Sequence, residues 1–152
     1  MIIMGYPGVG KTHLVESGEK FGDQSYIDLK SEWFTGKNGT KSRNWALMYA
    51  KCAEGLSKQG FVVLISTHAA VQIELTKTKE YVMAVFPSKK LKNDWLVKLR
   101  NRWMYTKDDK DYRAYKSASD GYDEQIDILM NSPFEKVEIT HMGYELSSLI
   151  VK

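Results

Sequence analysis

The octapeptide Gly5-Tyr6-Pro7-Gly8-Val9-Gly10-Lys11-Thr12 satisfies GxxxxGK[ST] at every fixed position, and no other stretch restricts so tightly what this chain can become. Residues 1–4 are apolar and read as a strand; a helical pattern runs from near Gly10 to between Gly18 and Gly22. The motif therefore sits in the strand-loop-helix setting that gives it meaning. Glycine makes up about 7% of average usage, so a chance match in a chain of this length is on the order of one in a few hundred, which favours an anion-binding loop over an ordinary turn. The chemistry follows from the missing side chains. A backbone that curls around phosphate oxygens must aim successive N–H groups inward, and a Cβ would obstruct that curl. Gly8, Val9 and Gly10 are expected to supply the amide cradle, and Lys11 to reach the β- and γ-phosphates of a nucleoside triphosphate. The Thr12 hydroxyl is the expected ligand of the magnesium ion that bridges them, and the positive end of the helix adds to the attraction.

Beyond the loop, strand-like apolar runs alternate with helix-like periodic segments, the pattern of an α/β fold with a parallel sheet covered by helices on both faces. Strands are expected at 1–4, 25–29, 61–65, 81–86 and 134–140, five in all. The run 61–65 is continuously apolar, as in a strand buried on both faces. Trp45, Met48, Tyr49, Cys52 and Leu56 recur at helical spacing before Gly60, and a short helix is expected at 69–77. Leu91, Trp95, Leu99 and Trp103 draw an apolar stripe along a further helix. Residues 36–42, with glycines, an asparagine and lysines, read as a loop. Residues 106–121, rich in Asp, Lys, Ser and Tyr, read as a surface excursion. A helix at 122–130 and a terminal helix after Gly143 complete the chain, which carries no internal repeat.

A length of 152 residues, 43% apolar and 27% charged, suits one globular domain spanning 1–152. The formal net charge of +3 fits an anionic small molecule at least as well as a nucleic acid. No basic stripe interleaved with aromatics points to nucleic acid, although the tyrosines and lysines of 106–121 keep that partner open. The single cysteine, Cys52, has no internal partner, and no Cys/His cluster is present, so a reducing cytoplasm and a buried thiol are expected. The apolar start is interrupted at Gly5, too early for a signal peptide or a membrane span.

In an α/β sheet, ligands gather at the carboxyl ends of strands, which directs attention to the residues just past each one. Asp28, ending the second expected strand, suits holding magnesium through water, orienting an acceptor hydroxyl or accepting its proton; a capping or solvent-facing carboxylate is the alternative. The third expected strand ends in Ser66-Thr67-His68, where no acid stands. The two hydroxyls are weak substitutes for one and His68 is a candidate acceptor contact, with helix capping by Thr67 as the alternative. Arg102 lies seven residues after Trp95, so its stem turns toward the apolar face while Arg100 points nearly the opposite way. A transferring phosphoryl group or a structural salt bridge would each satisfy Arg102. Arg113 is placed to descend on the phosphates if 106–121 closes; Lys107 and Lys110 read as solvated. Arg43, Lys37 and Lys41 are candidates for an acceptor phosphate.

Through GYPGVGKT, DLKSEWF after the second strand, LVKLRNRW ahead of the polar stretch, and Thr140-His141-Met142-Gly143 after the last strand, the chain resembles the nucleoside monophosphate kinase-like family of P-loop kinases, in particular the compact members that bacteriophages encode. The resemblance implies a three-layer α/β/α fold with a five-stranded parallel sheet in the order 2-3-1-4-5. It implies an acceptor-binding loop at 36–43 and a lid at 106–121, shorter than in long-lid adenylate kinases. Arg100 and Arg102 match the arginines near the lid, and His141, Met142 and Gly143 match the loop bordering the adenine. The family's acid after the third strand is absent here, and some relatives that phosphorylate small metabolites carry an aspartate at the place of Asp28. ATP and Mg2+ are the implied cofactors, and a nucleoside or deoxynucleoside monophosphate the implied acceptor. Kinase action on a metabolite or polynucleotide hydroxyl, with Asp28 as base, and ATP binding without catalysis are the alternatives. Nucleotides would be the partners of a monomer or homodimer in the cytoplasm, that of the host if a phage encodes the chain.

Overall fold

The structure, a computed structural model, describes residues 1–34 and 42–150. Its elements alternate in type along most of the chain: β1 (Ile2–Gly5), α1 (Lys11–Glu16), β2 (Lys20–Phe21), β3 (Gln24–Asp28), α2 (Trp45–Lys58), β4 (Val62–Ile65), α3 (Ala69–Leu75), β5 (Val82–Pro87), α4 (Lys92–Thr106), α5 (Asp109–Met130), β6 (Glu135–Ile139) and α6 (Leu146–Leu149), with short 3-10 turns at Ser31–Phe34 and Lys89–Leu91. Among the described residues the strands form a six-stranded sheet in the order β2-β3-β4-β1-β5-β6.

This corrects the expected five-stranded parallel sheet in the order 2-3-1-4-5. The five strands foreseen are present as β3, β4, β1, β5 and β6 in that spatial order, but a sixth joins the edge and makes the sheet mixed. It is β2, which pairs antiparallel with β3 (Lys20 opposite Ser25, Phe21 opposite Gln24) around Gly22, whose φ is +61°. A left-handed glycine followed by aspartate lets a strand reverse within two residues. Two residues are too few to register as an apolar period.

The chain divides into two units, Met1–Gly5 with Lys11–Met83, and Tyr6–Gly10 with Ala84–Lys152. In the first, β1 and β4 run parallel with Ile2, Ile3 and Met4 opposite Val63, Leu64 and Ile65. β3 lies parallel on the other side of β4, Asp28 opposite Leu64. This register puts Gly5, Asp28 and Ser66 at the same carboxyl edge. Every residue of β1 and β4 is buried, as continuous apolar runs require of central strands.

Helix α2 buries Tyr49, which the expected apolar face contained, together with Ala50, Ala53 and Ser57, which it did not. Met48 is exposed, and so is Cys52, which corrects the expected buried thiol. The rest of the inward row is small, and small side chains let a helix lie close to its neighbours; bulk alone placed the centre of that face too far round, toward Met48 and Cys52.

In the second unit α4 buries Trp95 and Leu99 completely, as the stripe required. Residues 106–121 are not an irregular excursion. After a break at Lys107, left-handed at φ +57°, Asp108 caps α5 by accepting from the Lys110 amide at 2.8 Å. The helix continues to Met130 with one non-helical residue, Gly121. Its buried Ala118, Tyr122, Ile126 and Leu129 keep a helical period, and Trp103 of α4 stacks on Tyr115 with centroids 6.1 Å apart. Polar composition concealed an amphipathic helix. None of the described helices is long and apolar enough to cross a membrane.

Candidate functional site

The segment between β1 and α1 has the backbone its glycines predict. Gly8 and Gly10 hold φ values of +92° and +108°, a region that L side chains rarely enter. Gly8 also has a packing reason to lack a side chain. A Cβ there would lie 3.1 Å from Leu99 Cδ2 and 3.2 Å from Trp95 Nε1. The Val9 amide donates to the Tyr6 carbonyl at 3.1 Å, so that N–H closes a turn within the loop. Lys11 opens α1 and its Nζ donates to the Gly5 carbonyl at 2.6 Å, which anchors the ammonium at the start of the loop. Thr12 is exposed in the first turn.

The loop's outer surface is occupied by side chains that the sequence reading passed over. Trp95 Nε1 donates to the Pro7 carbonyl at 2.8 Å. The Tyr144 hydroxyl donates to the Val9 carbonyl at 2.9 Å and leans toward that of Gly8 at 3.4 Å. The rings of Trp95 and Tyr144 stack 6.1 Å apart, 16° from parallel. Lys98 Nζ donates to the Tyr144 oxygen at 3.2 Å and sits 4.6 Å from the Trp95 ring centroid, a cation–π contact. Burial pushes the Tyr144 phenol up to about 12; burial and the nearby Arg102 draw the Lys98 ammonium below the usual lysine range. Trp95 was legible only as part of an apolar stripe, and nothing local marked Tyr144.

At the carboxyl ends of β3 and β4 a second group of polar residues meets. Asp28 is half-buried at the end of β3. Tyr49 donates to the Leu29 carbonyl and accepts from the Ser66 amide at 3.2 Å; desolvation raises its phenol to about 12. Ser66 Oγ is buried, close enough to the Tyr49 hydroxyl to act on its titration. His68 Nε2 lies 3.2 Å from Ser31 Oγ, and its ring meets Trp45 edge-on at 5.1 Å. Thr67 does not cap α3. The cap position is His68, whose side chain makes no capping bond, while the Thr67 carbonyl accepts from Gln72 Nε2 at 2.9 Å. Arg43 is exposed. Lys37, Lys41 and the rest of 36–41 in the expected acceptor loop lie outside the described residues.

The arginines near the expected lid are on helices. Arg102 Nε lies 3.0 Å from Asp111 Oδ1, with the arginine side chain 40% exposed and the aspartate 14%. This is the salt bridge weighed against phosphoryl contact, and it pairs Arg102 of α4 with Asp111 of α5. Arg100 on α4 and Arg113 on α5 are exposed. So are His141, Met142 and Gly143, in the bend that leads to Tyr144.

Magnesium demands hard oxygen ligands and commonly takes only one or two from protein, the rest coming from phosphate and water. Among the described residues no group of three or more His, Cys, Asp or Glu side chains could hold a metal ion. The Thr12 hydroxyl at the start of α1, the Asp28 carboxylate at the end of β3 and the buried Ser66 hydroxyl just past β4 are hard oxygen donors of that kind.

No protein-family profile matches the chain, and no curated protein sequence matches it. Its structure is similar to that of a gluconokinase from Sinorhizobium meliloti 1021, with a TM-score of 0.54 and 11% sequence identity over 97% of this chain and 85% of that chain. At that identity the likeness is one of fold alone, an α/β fold shared along nearly the whole chain.

Proposed function

We propose that this chain is a kinase that moves the γ-phosphoryl group of ATP to a nucleoside or deoxynucleoside monophosphate. The observation that carries the reading is the GKT loop itself, with Gly8 and Gly10 in the left-handed region and Lys11 at the first position of α1. The fold likeness to a gluconokinase supports a kinase. In this reading the loop amides and Lys11 hold the donor phosphates, and His141, Met142 and Gly143 border the adenine. Thr12, with Asp28 and Ser66, holds Mg2+, which supplies charge neutralisation of the phosphates when bound. An acceptor oxygen forms a bond to the γ-phosphorus while the bond to the departing ADP oxygen breaks. Arg100, Arg102 or Arg113 offsets the charge in flight, Arg102 after parting from Asp111. Arg43 and His68 contact the acceptor. A monophosphate is already ionised near neutral pH, so its transfer tolerates the missing acid after β4. Incubation with ATP, Mg2+ and each ribo- and deoxyribonucleoside monophosphate should yield ADP with at least one of them; failure with all of them would remove this acceptor class.

A second reading has its own support: Asp28 stands half-buried at the end of β3, where a base for a hydroxyl acceptor is useful, and the structural likeness is to a kinase named for gluconate. Here Asp28 takes the hydroxyl proton as the oxygen attacks. Asp28→Asn separates the two readings. It should slow transfer to a monophosphate only moderately, because asparagine keeps an oxygen for the metal, whereas transfer to a hydroxyl acceptor should fall by two or more orders of magnitude, as expected for removal of a general base.

A further inference from the structure

Three consecutive carbonyls of the loop, those of Pro7, Gly8 and Val9, are met by two side chains from far along the chain. A trans peptide is planar, with its C=O and the following N–H on opposite edges. Whatever grips the carbonyl of one residue therefore aims the amide of the next. Trp95, holding the Pro7 carbonyl at 2.8 Å, orients the Gly8 N–H. Tyr144, holding the Val9 carbonyl at 2.9 Å, orients the Gly10 N–H. Both amides belong to glycines, which resist rotation least, so an external grip matters most there. We infer that Trp95 and Tyr144 are positioning residues that aim the Gly8 and Gly10 amides of the phosphate cradle, and that Lys98 keeps Tyr144 in its donor role. The inference rests on the reading of the loop as a site for ATP phosphates.

The arrangement is suited to that task. Trp95 is fully buried and carries a single donor, so its indole cannot turn to another partner. The Tyr144 oxygen accepts from Lys98 at 3.2 Å, which leaves its own proton for the loop. The stacked rings hold both donors in register. Gly8, with no Cβ to collide with Leu99 or the indole, lets the loop come near enough for the Pro7 bond to form. A loop held in this way needs little rearrangement when an anion arrives.

Tyr144→Phe tests the idea, because it keeps the ring on Trp95 and removes only the hydroxyl. Affinities for ATP and for inorganic tripolyphosphate are measured by calorimetry, with glycine-selective 15N labelling to follow the loop amides. The wild type should bind both ligands and shift the Gly8 and Gly10 resonances. Tyr144→Phe should weaken both ligands about five- to tenfold, the scale of one hydrogen bond, with a smaller shift at Gly10 than at Gly8. Lys98→Met should weaken them in the same direction, about two- to threefold. If Tyr144→Phe binds both ligands like the wild type and changes only the melting temperature, the hydroxyl is structural and the positioning role is wrong, while the proposed function stands. If the wild type itself binds neither ligand, the nucleotide reading and this inference fall together.

Discussion

Gly8 concentrates at one residue two demands that a side chain meets only under strain, a φ of +92° and a gap of 3.1 Å to Leu99 where a Cβ would stand. Gly8→Ala should destabilise the fold by about 1–3 kcal/mol from backbone strain alone, read as a lower midpoint in urea, and should weaken ATP binding in parallel. Both roles of this glycine bear on the loop, but only the backbone role was legible in the motif; the close approach of α4 was not. Tyr49 offers a pH test. Its phenol rises from 10.0 to about 12 because burial penalises the phenolate. The unfolded chain thus loses that proton first, so the stability tied to Tyr49 is complete below about pH 10 and drains away as pH rises to about 12. Two pKa units amount to about 3 kcal/mol. Absorbance of tyrosinate during alkaline titration should show Tyr49 ionising late, together with unfolding; ionisation near its ordinary value in a folded protein would refute the buried, doubly bonded hydroxyl.

Elements were most readable where large apolar residues do the packing. The α4 stripe named Trp95 and Leu99, and both are fully buried. Buried faces read less fully where small or polar residues carry the contact. In α2 the alanines and Ser57 join Tyr49 in facing inward, and in α5 a run of Asp, Lys, Ser and Tyr ahead of Tyr122 conceals a helix that buries Ala118. The start of α5 depends on one side chain. Asp108→Ala removes the acceptor of the Lys110 amide and should cost about 1 kcal/mol, the usual value of an N-cap, seen as a lower thermal midpoint by circular dichroism. A change within error would mean that the α4–α5 connection is held by Arg102–Asp111 and the Trp103 stack instead. For β2 the signal was present in Gly22-Asp23 but spanned too few residues to compete with the helix-stop reading of the same glycine.

For the molecule as a whole, binding and stability are linked, since a ligand that binds only the folded chain stabilises it by mass action. ATP with Mg2+ at a hundred times its dissociation constant should add about 2.7 kcal/mol, roughly 5–10 °C in melting temperature for a chain of this size. Lys11→Ala should abolish most of that rise without lowering the midpoint of the free protein by a similar amount. An equal rise in wild type and variant would detach Lys11 from the phosphates. The α/β alternation was readable at this scale, because strand and helix periods are imposed by covalent geometry. The mixed character of the sheet was not, because an edge strand is defined by its neighbour.

By itself the amino-acid order determined the GxxxxGKT loop with its left-handed glycines, the run of strands and helices around it, and the placing of Asp28 and Ser66 at strand ends. Only tertiary packing decided that Trp95 and Tyr144, separated from their loop partners by 88 and 135 positions, would hold its carbonyls, that Cys52 would face solvent and that Arg102 would be paired with Asp111. The division has a physical cause. Local patterns are set by bond geometry over a few residues, whereas a donor's partner across the chain exists only once buried surfaces have chosen which helix faces lie inward.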